Sequence, residues 1–260
     1  MSRNSQMQMG MPLPAVIRNL MIATVGYWFF VQLILESLIL KSAVLSRFLS
    51  LVPEQTLFGY YFWQPLTYMF LHSSQVTHVL FNMLMLWFFG GKLAERWGSR
   101  FFLIYYIGSG VGAALIYVLG MTLAAIMGWT ESGMLVPVQG ASGAVFGLLL
   151  AYGMIFSEEI IYFFMLFPMK TKFFVMIMGF IEFANLLSSD STGSDVAYLA
   201  HLGGLASGFL ILQVSAFIQR KKWGKLQSEK NKKRSQLRLV VDNEDQGPNG
   251  PKGSGPKYWN

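Results

Sequence analysis

Ser142 and His201 are the two side chains in this 260-residue chain whose type and setting point to chemistry. Each sits at the start of an apolar, membrane-length stretch, in Gly140-Ala141-Ser142-Gly143 and Ala200-His201-Leu202-Gly203-Gly204. Hydrocarbon penalises polar groups, so an intramembrane histidine is a functional-site candidate by default. The chain carries three histidines, His72, His78 and His201, and the last two border or enter apolar spans. A hydroxyl and an imidazole that could meet inside a bilayer suggest nucleophilic catalysis there.

The elements that must position these groups follow from composition. Hydrophobic residues make up 53% of the chain and charged residues 13%, against about 25% charged in a soluble domain. The apolar residues come in continuous blocks without strand-like alternation. The expected class is therefore an all-α integral membrane protein, not a barrel. With no cysteine, disulfides, thiol catalysis and zinc–thiolate sites are excluded. The first apolar run is long, contains Glu36 and lacks a small-residue cleavage site, which reads as a retained span and not a signal peptide.

Six spans are expected, roughly at 15–40, 76–95, 101–127, 141–156, 172–188 and 197–218. The domain plan is a cytoplasmic segment over residues 1–14, a six-span core over 15–218 and a basic, largely disordered cytoplasmic tail over 219–260. The aromatic loop 41–75, with Phe58, Tyr60, Tyr61, Phe62 and Trp63, is expected to lie on the membrane surface or to pack against the helices. Around 157–172 a short interfacial turn is expected, because one span through it would bury both Lys170 and Lys172.

Positive charge sets the direction. Arg3, Arg18, Lys92, Arg96, Arg100, Lys170 and Lys172 fall on one side, and loops 128–140 and 189–196 carry no lysine or arginine. Lys41 and Arg47 in loop 41–75 are a mild exception. Nine basic residues between Arg220 and Arg238 against Glu229 make that stretch +8, leaving −1 for the rest of a chain whose net charge is +7. Both termini are predicted to be cytoplasmic, with the basic stretch an anchor near anionic lipid. Nucleic acid is not the expected partner, since aromatic interleaving is limited to Trp223. Spans two, four and six then run from outside to inside, and His78, Ser142 and His201 fall at similar depth in the outer half of the bilayer.

Each residue has two readings. The glycines around Ser142 are packing devices or room for a nucleophile. The short fourth span can start below the membrane surface, aiming its free N–H groups at an oxyanion beside Ser142. His201 bonds a backbone carbonyl or holds a cofactor, or else it acts as a neutral base. Gly204 and Gly208 would bring its helix against that of Ser142. Asp190 and Asp195 lie in the preceding loop and no carboxylate lies within a turn of His201, so a dyad is expected and not a triad. His78 and Asn82, four apart on one helical face, are either a polar helix contact or two oxyanion donors. No cofactor is expected, and the three histidines lack the His-Glu-x-x-His spacing and nearby carboxylate of a zinc site. Glu95, Arg96 and Arg100 read as an orienting turn, and Gly108 and Gly112 as packing residues.

Several motifs resemble those of the rhomboid intramembrane serine proteases. They are Phe70-Leu71-His72, His78-Val79-Leu80-Phe81-Asn82, Glu95-Arg96-Trp97-Gly98-Ser99, Gly140-Ala141-Ser142-Gly143 and Ala200-His201-Leu202-Gly203-Gly204 with Gly208. The resemblance spans residues 15–218. It implies Ser142 as nucleophile, His201 as general base, and His78, Asn82 and the Ser142 backbone N–H as oxyanion stabilisers. Two departures stand out: Trp63-Gln64 replaces the family's usual Trp-Arg, and Phe146 occupies the position that stacks on the histidine. The implied activity is hydrolysis of peptide bonds in or near transmembrane segments of other membrane proteins. Phe146 and Glu182 are the candidate substrate-gate residues, span five being the gate and loop 189–196 its cap. A helix-binding relative without activity and a transporter are the rival readings; no internal repeat supports the second. A compact plan without organelle-targeting features favours a bacterial inner membrane.

Overall fold

The computed structural model of the protein describes residues 13–130, 133–163, 166–188 and 195–236. It divides into two compact units, one up to Val214 and one from Ser215 onward. In the first unit, helix α1 (Ala15–Gly26) runs on without a break into a π-helix, Tyr27–Leu40. The i→i+5 bonding widens the turn, and Trp28, Gln32 and Glu36, spaced four apart, form its buried face.

Loop 41–75 is built of short elements: α2 (Val44–Leu49), α3 (Pro53–Leu57), α4 (Gln64–Thr67) and a 3₁₀ turn, Tyr68–Phe70. Prolines near the starts of α3 and α4 supply preset φ angles where no N–H is needed. Its inner side, with Leu51, Tyr68 and Met69, is buried, whereas Phe58, Tyr60 and Phe62 are exposed. Polar groups of the first span staple this loop down. Gln32 donates to the His72 carbonyl at 2.9 Å and accepts from the His72 N–H at 2.9 Å. Glu36 accepts from the Ser46 N–H at 2.9 Å and from the Ser46 hydroxyl.

Helices α5 (Val76–Trp97) and α6 (Ser99–Ile126) are separated only by Gly98, whose φ of +76° few side-chain-bearing residues adopt. Helix α7 (Ser142–Ile155) follows, then β1 (Ile160–Phe163), β2 (Phe167–Lys170), α8 (Thr171–Ser188) and α9 (Asp195–Gln236). Among the described residues, five helices are long and apolar enough to cross a membrane. The fourth expected span corresponds to α7, which has 14 residues, so it is ~21 Å long against a hydrocarbon core of ~30 Å.

The interfacial turn expected at 157–172 is an antiparallel hairpin in register Ile160↔Lys170 to Phe163↔Phe167, so the chain is not purely α. The β-branched and aromatic run Ile160-Ile161-Tyr162-Phe163 favours extended backbone. Lys170 and Lys172 pair with the exposed Glu158, and their hydrogen bonds hold its carboxyl well below the usual carboxylate range.

Helices α6 and α7 and the portion of α9 up to Val214 meet through small residues. A Cβ at Gly147 would lie 2.5 Å from Ser109 Cβ, one at Gly112 2.4 Å from Ser207 Cβ, and one at Gly208 3.0 Å from Gly147 Cα. Such contacts let backbones approach as in membrane helix pairs. Buried tyrosines close the gaps with their polar tips satisfied: Tyr68 donates to the Gly110 carbonyl at 2.7 Å and Tyr105 to that of Gly147 at 2.8 Å.

The second unit begins with the remainder of α9, whose Arg220, Lys221, Lys222 and Lys225 are exposed. The basic stretch expected to open the tail is thus helical through Gln236. Residues 1–12 of the expected N-terminal segment, 189–194 of the expected cap (Asp190 among them) and 237–260 of the tail lie outside the described residues.

Candidate active site

Ser142 is the first residue of α7, and the segment leading to it is clamped from loop 41–75. Leu51 and Val138 exchange backbone hydrogen bonds of 3.0 and 2.9 Å, Gln139 donates to the Ser50 hydroxyl at 2.7 Å, and the Gly140 N–H donates to the Tyr68 carbonyl at 3.0 Å. Gly140 has φ of +130°. A Cβ there would sit 3.0 Å from His78 Nε2 and 3.7 Å from Ser142 Oγ. Glycine therefore lets the His78 ring come up beside the serine.

His201 lies six residues into α9, counted from Asp195. Its Nε2 is 2.8 Å from Ser142 Oγ. Gly204, one turn further, lies so close to α7 that a Cβ there would fall 2.0 Å from the Gly143 carbonyl oxygen. Phe146, one turn after Ser142, stacks on the His201 ring with centroids 4.4 Å apart and planes 16° apart. Hydroxyl and imidazole thus face each other along a proton-transfer line.

His78 and Asn82 share the inner face of α5. The Ser73 N–H donates to His78 Nδ1 at 3.2 Å. That nitrogen must then be the acceptor, which leaves the ring proton on Nε2, the edge turned toward Gly140. Ser73 is held in turn by Trp28, whose indole N–H donates to its carbonyl at 2.9 Å. Asn82 is buried and donates one amide hydrogen to the His78 carbonyl at 2.9 Å, so a second remains for another acceptor. His72 packs edge-on to His78 at 5.0 Å. Burial, and then the neighbouring His78, lowers its pKa to about 3, so it stands as a neutral ring.

A cavity of about 420 Å³ joins these groups; His78, Asn82, Ser142, Phe146, Met178 and His201 line it. That volume lies within the range of small-molecule and peptide-side-chain pockets. Among the described residues, no group of three His, Cys, Asp or Glu side chains is arranged to hold a metal ion.

All six residues singled out from the sequence gather near this cavity, but Glu182 differs from its expected place. It is buried, and its Oε2 lies 2.9 Å from His201 Nδ1. No carboxylate lies within one turn of His201 in the chain, whereas this contact joins residues 19 positions apart. Phe174, Val175 and Glu182, at spacings of seven and eight, are buried on α8, as expected of residues on one helical face. Glu182 thus turns inward, toward His201. Ser73, Trp28 and Gln139 were missed altogether, since no local pattern marks them.

The family model described as Rhomboid domain matches residues 60–216. Among curated proteins, the chain is similar to a candidate rhomboid protease, YdcA, of Bacillus subtilis (strain 168), at 34% identity over 152 residues, 57% of this chain and 65% of that protein. Similarity extends to the mitochondrial Rhomboid protein 1 of Saccharomyces cerevisiae, 30% identical over 58% of this chain and 42% of that protein. It extends also to RHOMBOID-like protein 1 of Arabidopsis thaliana, 33% identical over 65% of this chain and 38% of that protein. The chain spans just under two thirds of the first relative and about two fifths of the other two.

Proposed function

The chain belongs to the Rhomboid family, and from that premise we propose that it is an intramembrane serine protease cleaving peptide bonds in or near transmembrane segments of other membrane proteins. It is an integral, multi-pass membrane protein with five helices of crossing length among the described residues. In the proposed topology α7 is a sixth, shortened span and both termini are cytoplasmic, in a bacterial inner membrane. The substrates are transmembrane proteins.

The observation that carries the proposal is the 2.8 Å contact between Ser142 Oγ and His201 Nε2 at a cavity shared with His78 and Asn82. Ser142 Oγ attacks the scissile carbonyl carbon as its proton passes to His201 Nε2. The carbonyl π pair moves onto oxygen, and the resulting oxyanion accepts hydrogen bonds from His78 Nε2–H, the free amide hydrogen of Asn82 and the Ser142 N–H. The last belongs to the first turn of α7, where N–H groups lack partners within the helix. His201 then returns its proton to the leaving nitrogen as the C–N bond breaks. Water attacks the acyl-serine by the same route, with His201 again the base.

A helical peptide bond is shielded by its own backbone bonding, so substrate spans that unwind easily, with Gly or Pro, should be cleaved best. The direct test is cleavage of a transmembrane substrate in proteoliposomes. Ser142→Ala and His201→Ala should each lose activity by about 10⁴-fold or more while melting like the parent. Cleavage by Ser142→Ala at the parent rate would remove the proposal. Labelling of Ser142 by a fluorophosphonate separates an enzyme from a binder of helices, since only an activated hydroxyl reacts.

A further inference from the structure

We infer that Glu182 is a positioning residue for His201, so that the site works as a Ser-His-Glu triad; this rests on the reading of Ser142 and His201 as nucleophile and base. Glu182 is the only acidic residue in α8, it stands within the apolar run from Phe173 to Ala184, and it is buried. A carboxylate in such a place needs a partner, and His201 supplies one through Nδ1 at 2.9 Å.

An ionised carboxylate can only accept a hydrogen bond. With Glu182 as the acceptor, the contact places the imidazole proton on Nδ1 and leaves the Nε2 lone pair facing the hydroxyl of Ser142, 2.8 Å away. That is the tautomer a base needs. Both ring nitrogens and, through Phe146, one ring face are then engaged. The ring can neither flip nor tilt without losing a contact. When His201 takes the serine proton, the new positive charge lies against a carboxylate already in place, so no group has to move to stabilise it.

The position follows from helix geometry. Ser188 ends α8 six residues after Glu182, and His201 stands six residues after Asp195, where α9 begins. Two consecutive helices set residues at equal rise from their connection side by side, here ~9 Å along each axis.

The test uses the full chain in proteoliposomes with a transmembrane peptide substrate, reading kcat and KM separately. Glu182→Gln keeps the size of the side chain but can present an N–H to Nδ1 and so favour the wrong tautomer. It should lower kcat by about 10²–10⁴-fold with KM within twofold of the parent and fluorophosphonate labelling slowed in parallel. Glu182→Asp should recover at least about tenfold of the loss seen in Glu182→Ala. A Glu182→Gln enzyme with kcat within threefold of the parent, a loss carried by KM alone, or an aspartate no better than alanine would each overturn the role.

A second reading does not depend on the Glu182 variants folding. ¹⁵N-imidazole spectra of the parent protein, with His201 assigned by difference against His201→Gln, should show its proton on Nδ1; a proton on Nε2 overturns the assignment. Failure here is distinct from failure of the protease reading. If Ser142→Ala still cleaves, the nucleophile is wrong. If Ser142→Ala is dead while Glu182→Gln retains kcat, only the triad is.

Discussion

Gly204→Ala is the sharpest probe of how this fold holds its reacting groups together. A methyl carbon at residue 204 would lie 2.0 Å from the Gly143 carbonyl oxygen, 2.8 Å from its carbon and 3.1 Å from its Cα. All three are backbone atoms, so no rotamer change relieves the clash. Ordinary contact begins at 3.4 Å, so α7 and α9 must part by about 1.4 Å, at an overpacking cost of about 1–3 kcal/mol. Ser142 adjoins Gly143, and His201 is one turn from Gly204. If the same displacement passes to them, their 2.8 Å contact opens to about 4.2 Å, beyond hydrogen-bond reach. A misplacement of about 1 Å can cost about 100-fold in rate. The expected result in a proteoliposome assay is therefore a kcat at least about 100-fold below the parent, with fluorophosphonate labelling lost in step and a modest fall in melting temperature. The control is Gly26→Ala, the same chemical change at a helical position with nothing within 4 Å, which should keep full activity. A Gly204→Ala enzyme within threefold of the parent rate would refute the idea that backbone contact between these helices sets the serine–histidine distance.

Two further expectations concern the scaffold. Gln64 is fully buried; it accepts from Val52 N–H and Thr56 Oγ1 at 3.1 and 2.9 Å and donates to Gln55 Oε1 at 2.9 Å. Gln64→Ala strands those groups and should cost roughly 2 kcal/mol or more, read as a lower melting temperature and faster proteolysis within residues 44–67; unchanged melting would show that loop 41–75 does not need this network. His72, held neutral down to about 3 against an ordinary value of about 6.5, sets a pH dependence. Below about pH 6.5 the unfolded chain takes up a proton that the folded one refuses, so stability falls as pH drops through that window, by about 1.4 kcal/mol per unit at most. His72→Gln should flatten the loss between pH 6.5 and 4.5, and identical melting curves for parent and variant would refute the assignment.

What could be read from the chain, and what could not, divides along one line. Long apolar runs and the rarity of polar residues within them are local properties, and they marked five helices of crossing length, the short α7, and Ser142 and His201 as candidate site residues. The alternation of charged loops went further, to the expectation that His78, Ser142 and His201 share one depth, and all three line one cavity. The clamp on the serine segment left no such trace. Leu51 meets Val138, and Ser50 meets Gln139, 89 positions away. Nothing periodic links either pair.

The polar residues inside the apolar helices are the exception, and each in fact carried a signal. Glu36 argued in the sequence only for a retained span, and Glu182 only for a gate. Yet Gln32 reaches His72, Glu36 reaches Ser46 and Glu182 reaches His201, each on another element. The physical reason is common to the three: a buried polar group in an apolar helix costs free energy until it finds a partner, and most of its own helix's backbone groups are already bonded to one another. One turn either side of His201 is thus the wrong neighbourhood for its partner. The right one is the preceding helix, where Glu182 is the only acid.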